Sequence, residues 1–186
     1  MGERKKYRRG RRKKKKGGII STLILIIAIA VFCVSGYQLY KIFGGYHQGK
    51  SEYDKVREVA VHGDDKDEDE FVVDFDELKK INADTVGWIR FYPEPSQISY
   101  PLVQTTDNDL YLNRTFSANE NTVGAIFVNC DNASDFSDRN TIIYGHRMRD
   151  HSMFHDLEKY KDESFWKENP YFYIYTPDGR KLTCHI

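Results

Sequence analysis

Val123-Gly124-Ala125-Ile126-Phe127-Val128 and, after the polar stretch 129–140, Thr141-Ile142-Ile143-Tyr144-Gly145-His146 decide the fold. Each is a short apolar run, too brief for a helix and flanked by turn-forming residues, so each reads as a buried strand. Upstream, Val86-Gly87-Trp88-Ile89-Arg90-Phe91-Tyr92 reads as a strand stopped by Pro93 and Pro95, with a second strand over 98–104 and a helical turn over 107–114. Downstream, 171–175, the turn Pro177-Asp178-Gly179 and 181–186 read as a β-hairpin. Two short helices are expected. Asp74 and Glu77 form a capping box, with Val73 stapling onto Leu78, and open a helix over 75–81. Met153, Leu157 and Tyr160 recur at helical spacing behind a Ser152 cap. Many short strands with few helices predict a mainly β fold, a sheet or barrel carrying small helices.

The 28 basic and 28 acidic residues of the 186-residue chain cancel, but the signs are segregated. Residues 1–18 carry 11 basic residues and one acidic residue, for a net +10, which leaves −10 on the remainder. A chain built to track nucleic acid is excluded, because most of it would be repelled by phosphate. With 40% hydrophobic and 14% aromatic residues it is also not an acidic disordered chain. Residues 19–40 contain no Lys, Arg, Asp or Glu. As a helix they extend about 33 Å, enough for a bilayer core. A secretory signal has a similar layout, but no small-x-small cleavage site follows Val34, so an uncleaved anchor is expected. The basic cluster on its N-terminal side sets that end in the cytoplasm, where it also attracts anionic membrane lipids.

The expected organisation is therefore a basic cytoplasmic tail (1–18), a transmembrane anchor (19–42), an acidic stalk (43–70) and an extracellular globular domain (71–186). The acidic run 64–70 lacks the glycine turn and ligand spacing of a calcium loop and reads as a solvated spacer.

His146 ends a strand-like run, a position that holds an imidazole rigidly at the lip of a cleft and suits a general acid or base. From these residues alone, a satisfied structural histidine is the other reading. His151 and His155 stand four apart and invite a metal reading with His146, yet no His-Glu-x-x-His pattern is present and Ser152 is expected to cap the helix between them, so no metal site is expected. Cysteine chemistry needs a thiolate. Cys33 lies in the apolar segment, Cys130 in a polar loop beside the charge of Asp131, which raises a thiol pKa, and Cys184 on the hairpin. Whether Cys130 and Cys184 pair is open at this level.

Several motifs in order, Asp74-Phe75-Asp76-Glu77-Leu78-Lys79-Lys80-Ile81-Asn82, Val86-Gly87-Trp88-Ile89, Tyr100-Pro101-Leu102-Val103-Gln104, Tyr111-Leu112-Asn113-Arg114, Gly124-Ala125-Ile126-Phe127, Asn140 to His146 and Ser152-Met153-Phe154, closely resemble the N-terminal half of class B sortases. The resemblance covers about 71–186 and implies part of a sortase-type β-barrel behind one N-terminal transmembrane helix. It also implies a cysteine transpeptidase of a Gram-positive membrane, with no cofactor. In that chemistry a thiolate attacks the Thr carbonyl in the C-terminal sorting motif of a surface protein. The thioester is then resolved by an amine of the peptidoglycan cross-bridge or its lipid-linked precursor. By matching, His146 falls on the histidine that shuttles the proton, and Asn108, Leu112 and Tyr144 fall where the family lines its substrate groove.

The family nucleophile sits in a Thr-Leu-x-Thr-Cys strand far beyond the histidine, with an arginine after it. Leu182-Thr183-Cys184 echoes that strand but follows His146 by only 38 residues. The expectation is thus of a sequence fragment without its nucleophile and arginine, inactive by itself. A non-catalytic, membrane-tethered extracellular binding module is the alternative from another class.

Overall fold

A computed structural model describes residues 17–63 and 70–186. The expectations for the basic tail and for most of the acidic run fall outside the described residues. The chain divides into two compact units, one ending at Ile42 and one covering Phe43–Ile186.

Helix α1 (Gly17–Ala60) supplies all that is described of the first unit. Its large aliphatic and aromatic side chains there are exposed, Phe32 at 78%. The apolar stretch has a mean hydropathy of 2.7 over 18 residues and none of it is buried, so the helix is long and apolar enough to cross a membrane.

The second unit takes in the rest of that helix. Residues 43–60, expected as part of a stalk, are helical and buried on one side: Tyr53, Val56 and Ala60 enter the core. The physical reason is a stripe, Tyr46, Gly49, Tyr53, Val56 and Ala60, spaced alternately three and four apart, which places all five on one helix face. The chain then forms a small antiparallel pair, β1 (Val61–His62) with β2 (Val72–Val73), in which Val61 faces Val73.

Helix α2 (Phe75–Ile81) follows where expected, and Oδ1 of Asp74 accepts from Glu77 N at 3.0 Å. The reciprocal half of the capping box is not made. Asp74 N–H donates instead to Ala60 O at 2.7 Å, while the Glu77 carboxylate pairs with Lys80, so the end of α1 takes the place of the box.

Strands β3 (Thr85–Phe91), β4 (Ser99–Val103), β5 (Ile126–Val128), β6 (Ile143–Tyr144), β7 (Tyr171–Tyr175) and β8 (Lys181–His185) build one six-stranded sheet in the order β6-β5-β4-β3-β7-β8. Only β4 and β5 run parallel, so 104–125 must cross from one end of the sheet to the other, carrying a 3-10 turn at Leu110–Leu112. Strand β3 is central and covered on both faces, with Trp88 fully buried and its Nε1 donating to Ser99 Oγ at 3.0 Å. The buried Arg90 guanidinium lies over Phe71 at 4.1 Å and Tyr92 at 4.5 Å, which uses the aromatic faces to hold a desolvated cation. Leu102, Ile126 and Phe116 complete a core in which each large apolar side chain contributes about 1.5–3 kcal/mol by leaving water.

The segment after Ser152 differs from expectation. It is a 3-10 helix (His155–Lys161) whose N-cap is Phe154 with no side-chain bond, and Ser152 Oγ bonds Asp150 Oδ1 at 2.7 Å. An unforeseen helix, α3 (Glu163–Glu168), is capped by Asp162, which accepts from Ser164 N.

Candidate active site

His146 sits one residue beyond Gly145 at the end of β6, and the local sequence explains its place. Tyr144 pairs with Phe127 of β5, and their rings stack at 5.0 Å, fixing the strand. At Gly145 a Cβ would come within 2.6 Å of the Phe154 ring. The His146 carbonyl accepts from Phe154 N at 2.9 Å, and Arg147 bridges to Met153, which closes 147–153 into a loop.

The imidazole rests on backbone. At Gly124, in the left-handed region with φ of 65°, a Cβ would lie 2.8 Å from His146 Cδ2 and 2.9 Å from the carbonyl oxygens of Leu112 and Tyr111. Nε2 of His146 is 2.7 Å from Leu112 O. A carbonyl oxygen can only accept, so Nε2 carries a proton and donates it. Proton exchange is thereby left to Nδ1, which is a lone pair in the neutral ring and an N–H in the cation.

A second layer holds Gly124. Tyr53 of α1 donates its hydroxyl to Gly124 O at 2.8 Å and accepts from Phe116 N at 3.3 Å. Burial pushes the Tyr53 phenol well above its ordinary range, so it stays a neutral donor. Glu52, the preceding residue, accepts from Ser117 N at 2.9 Å and from Asn119 Nδ2 at 3.1 Å. Tyr111, whose carbonyl accepts from Ala125 N at 2.9 Å, is held through its hydroxyl by Asn82 and Asp84, each at 2.7 Å. Burial pushes that phenol up to about 12.

Of the residues singled out by sequence, Leu112 and His146 are brought into direct contact, through the Leu112 backbone. Tyr144 and Asn108 meet the neighbouring turn from two sides. Asn129 Nδ2 donates to Tyr144 Oη at 3.1 Å, and Cys130 N donates to Asn108 Oδ1 at 2.9 Å. Gln104 Nε2 anchors the same turn at the carbonyls of Asn129 (2.8 Å) and Asn132 (2.7 Å).

All three cysteines are free. Cys184 faces Phe172 across the β7–β8 pair, and burial pushes its thiol up, against thiolate formation. The residues sequence reasoning missed are Tyr53 and Gly124. The first was signalled by the three-and-four stripe in 43–60, whereas the second had no local signal, since its glycine requirement comes from residues distant in sequence. A cavity of about 480 Å³ lined by Tyr53, Tyr100, His151 and Met153 does not include His146.

No family model matches the chain. Two curated relatives do. The chain is 34% identical over 157 residues to Sortase B of Listeria monocytogenes and 30% identical over 148 residues to Sortase B of Staphylococcus aureus, each match taking in 80% of this chain. The matched parts are 61% and 60% of those proteins, so the chain spans about three-fifths of the length of its curated relatives. Among solved structures, sortase B of Bacillus anthracis superposes with a TM-score of 0.67 at 33% identity, covering 77% of this chain and 68% of that one.

Proposed function

The chain belongs to the class B sortases, and on that premise we propose that it is a cysteine transpeptidase that joins surface proteins to peptidoglycan, with His146 as the group that moves the proton. The observation that carries this reading is the His146 Nε2–H bond to Leu112 O, which commits one ring nitrogen to a fixed carbonyl and leaves Nδ1 to work. In the proposed cycle a thiolate attacks the Thr carbonyl carbon of the sorting motif. The peptide C–N bond breaks, and the departing amine takes the proton from Nδ1 of the imidazolium. A peptidoglycan amine then attacks the thioester, its proton passes to Nδ1, and the thiolate leaves.

The attacking sulfur is assigned to neither Cys130 nor Cys184. Cys184 is held as a thiol by burial, and Cys130 lies in the polar 129–132 turn with its N–H donated to Asn108 Oδ1. Asn108, Leu112 and Tyr144 are proposed to border the groove for the sorting motif. The apolar part of α1 is proposed as a single-pass anchor, with its basic end in the cytoplasm and the domain outside.

The reading is tested by replacing His146 with Ala in the gene at its native locus and measuring the covalently wall-linked fraction of proteins that carry sorting motifs. Loss of linkage with normal abundance of the variant supports transpeptidation. Unchanged linkage favours a tethered binding module.

A further inference from the structure

We propose that His151, His155 and Asp156 form a binding site for one Zn²⁺ ion, separate from His146. Their ligand atoms all lie within 4.8 Å of one another. Nδ1 of His151 is 3.4 Å from Oδ1 of Asp156, which is the edge of a tetrahedron with bonds of about 2.1 Å, the usual zinc–nitrogen and zinc–oxygen length.

The second imidazole is already oriented. Nδ1 of His155 lies 2.5 Å from Met148 O, and because the carbonyl only accepts, Nδ1 carries the proton and Nε2 of the neutral ring presents its lone pair. Metal-ligating histidines are held in this way, by an outer carbonyl on the other nitrogen. The two rings lie 4.1 Å apart between centroids.

The loop maintains this arrangement at a cost. His151 has a φ of 65°, in the region that favours glycine, so its side chain is held over His155 against backbone preference. His155 and Asp156 are buried, while the His151 side chain is 67% exposed and borders the 480 Å³ cavity, giving an ion a fixed floor and an open approach.

The surrounding charges are compatible. Lys159 Nζ holds the other carboxylate oxygen of Asp156, Oδ2, at 2.8 Å and leaves Oδ1 to the ion. Glu158, paired with Arg147, has Oε1 3.5 Å from His155 Nε2 and adds a second carboxylate near that ring. Two imidazoles with one carboxylate suit Zn²⁺, whereas Ca²⁺ and Mg²⁺ require six or more oxygen ligands. Bound there, the ion would cross-link the loop that begins after His146 to the 3-10 helix.

The test is calorimetric titration of the detergent-solubilised full chain with ZnCl₂ in metal-free buffer, beside its His151→Ala, Asp156→Asn and His185→Gln variants. One ion per chain is expected, with affinity reduced at least about tenfold in the first two variants and unchanged in the third. His151 is largely exposed, so its variant tests the site even if Asp156→Asn fails to fold. As a second readout, Zn²⁺ should shift the ring-proton resonances of His151 and His155 together. Absence of binding, equal affinity in His151→Ala, or loss of binding in His185→Gln would overturn the proposal.

Discussion

Tyr53 donates its hydroxyl to the carbonyl oxygen of Gly124 across 2.8 Å, and that bond ties helix α1 to the residue on which the His146 ring rests. The second hydroxyl contact, from Phe116 N, makes Tyr53 a bridge between the two ends of the 116–124 loop.

Tyr53→Phe keeps the ring and its edge-on packing against Tyr100 but leaves the Gly124 carbonyl and the Phe116 N–H buried without this partner. It should cost about 1–3 kcal/mol in chemical denaturation. The fold should survive in circular dichroism, and a loss below a few tenths of a kcal/mol would contradict the bridging role.

Gly124→Ala should do more damage to the site than to the core. The new methyl meets His146 Cδ2 at 2.8 Å and two carbonyl oxygens at 2.9 Å, at a φ of 65° that alanine avoids. Backbone strain alone costs about 1–3 kcal/mol. The expected result is a displaced imidazole, visible as a changed His146 ring-proton shift, and acyl transfer reduced at least about tenfold.

Burial pushes the Cys184 thiol up, so the folded chain keeps a proton that the unfolded chain releases. The stability tied to that proton is complete below the ordinary thiol pKa of about 8.5 and is lost as pH rises toward the higher folded value. Unfolding measured at pH 7 and pH 10 should therefore show a larger drop for the native chain than for Cys184→Ala. Equal drops would contradict the burial effect.

Proteolysis of wall-stripped cells tests the topology. Protease added outside should remove 71–186 and leave a membrane-held basic stub, as the positive charge on one side of the apolar helix requires. Full protection of the domain would reverse the assignment.

Much of the architecture was legible because it is written in local patterns. The length and apolar content of 86–92 and 98–104, the turn at Gly179 and the Asp74 cap all encode elements that stand close to their expected bounds. What local patterns could not encode was pairing at a distance. Nothing near Asp74 announces that Ala60 will take its N–H, and nothing around Gly124 announces that His146 will lie against it. The expected Ser152 cap is not made because the 3-10 helix begins only at His155, with Phe154 at its N-cap and Met153 in the left-handed region at a φ of 56° between Ser152 and that cap. His151 and His155 stand four apart with the expected helix start between them, and it is the left-handed turn at His151 that brings the rings together.

The most direct test of the central claim is the acyl-transfer rate from a sorting-motif peptide to an amine acceptor, measured on the full-length protein extracted from its native membrane. Native protein, His146→Ala and Cys184→Ala are compared, with circular dichroism as the folding control. Loss of a positioned acid and base predicts a drop of about 10² to 10⁴ for His146→Ala. Cys184→Ala should keep the native rate. A folded His146→Ala protein that transfers within threefold of the native rate, or a folded Cys184→Ala protein that transfers nothing, would contradict the account.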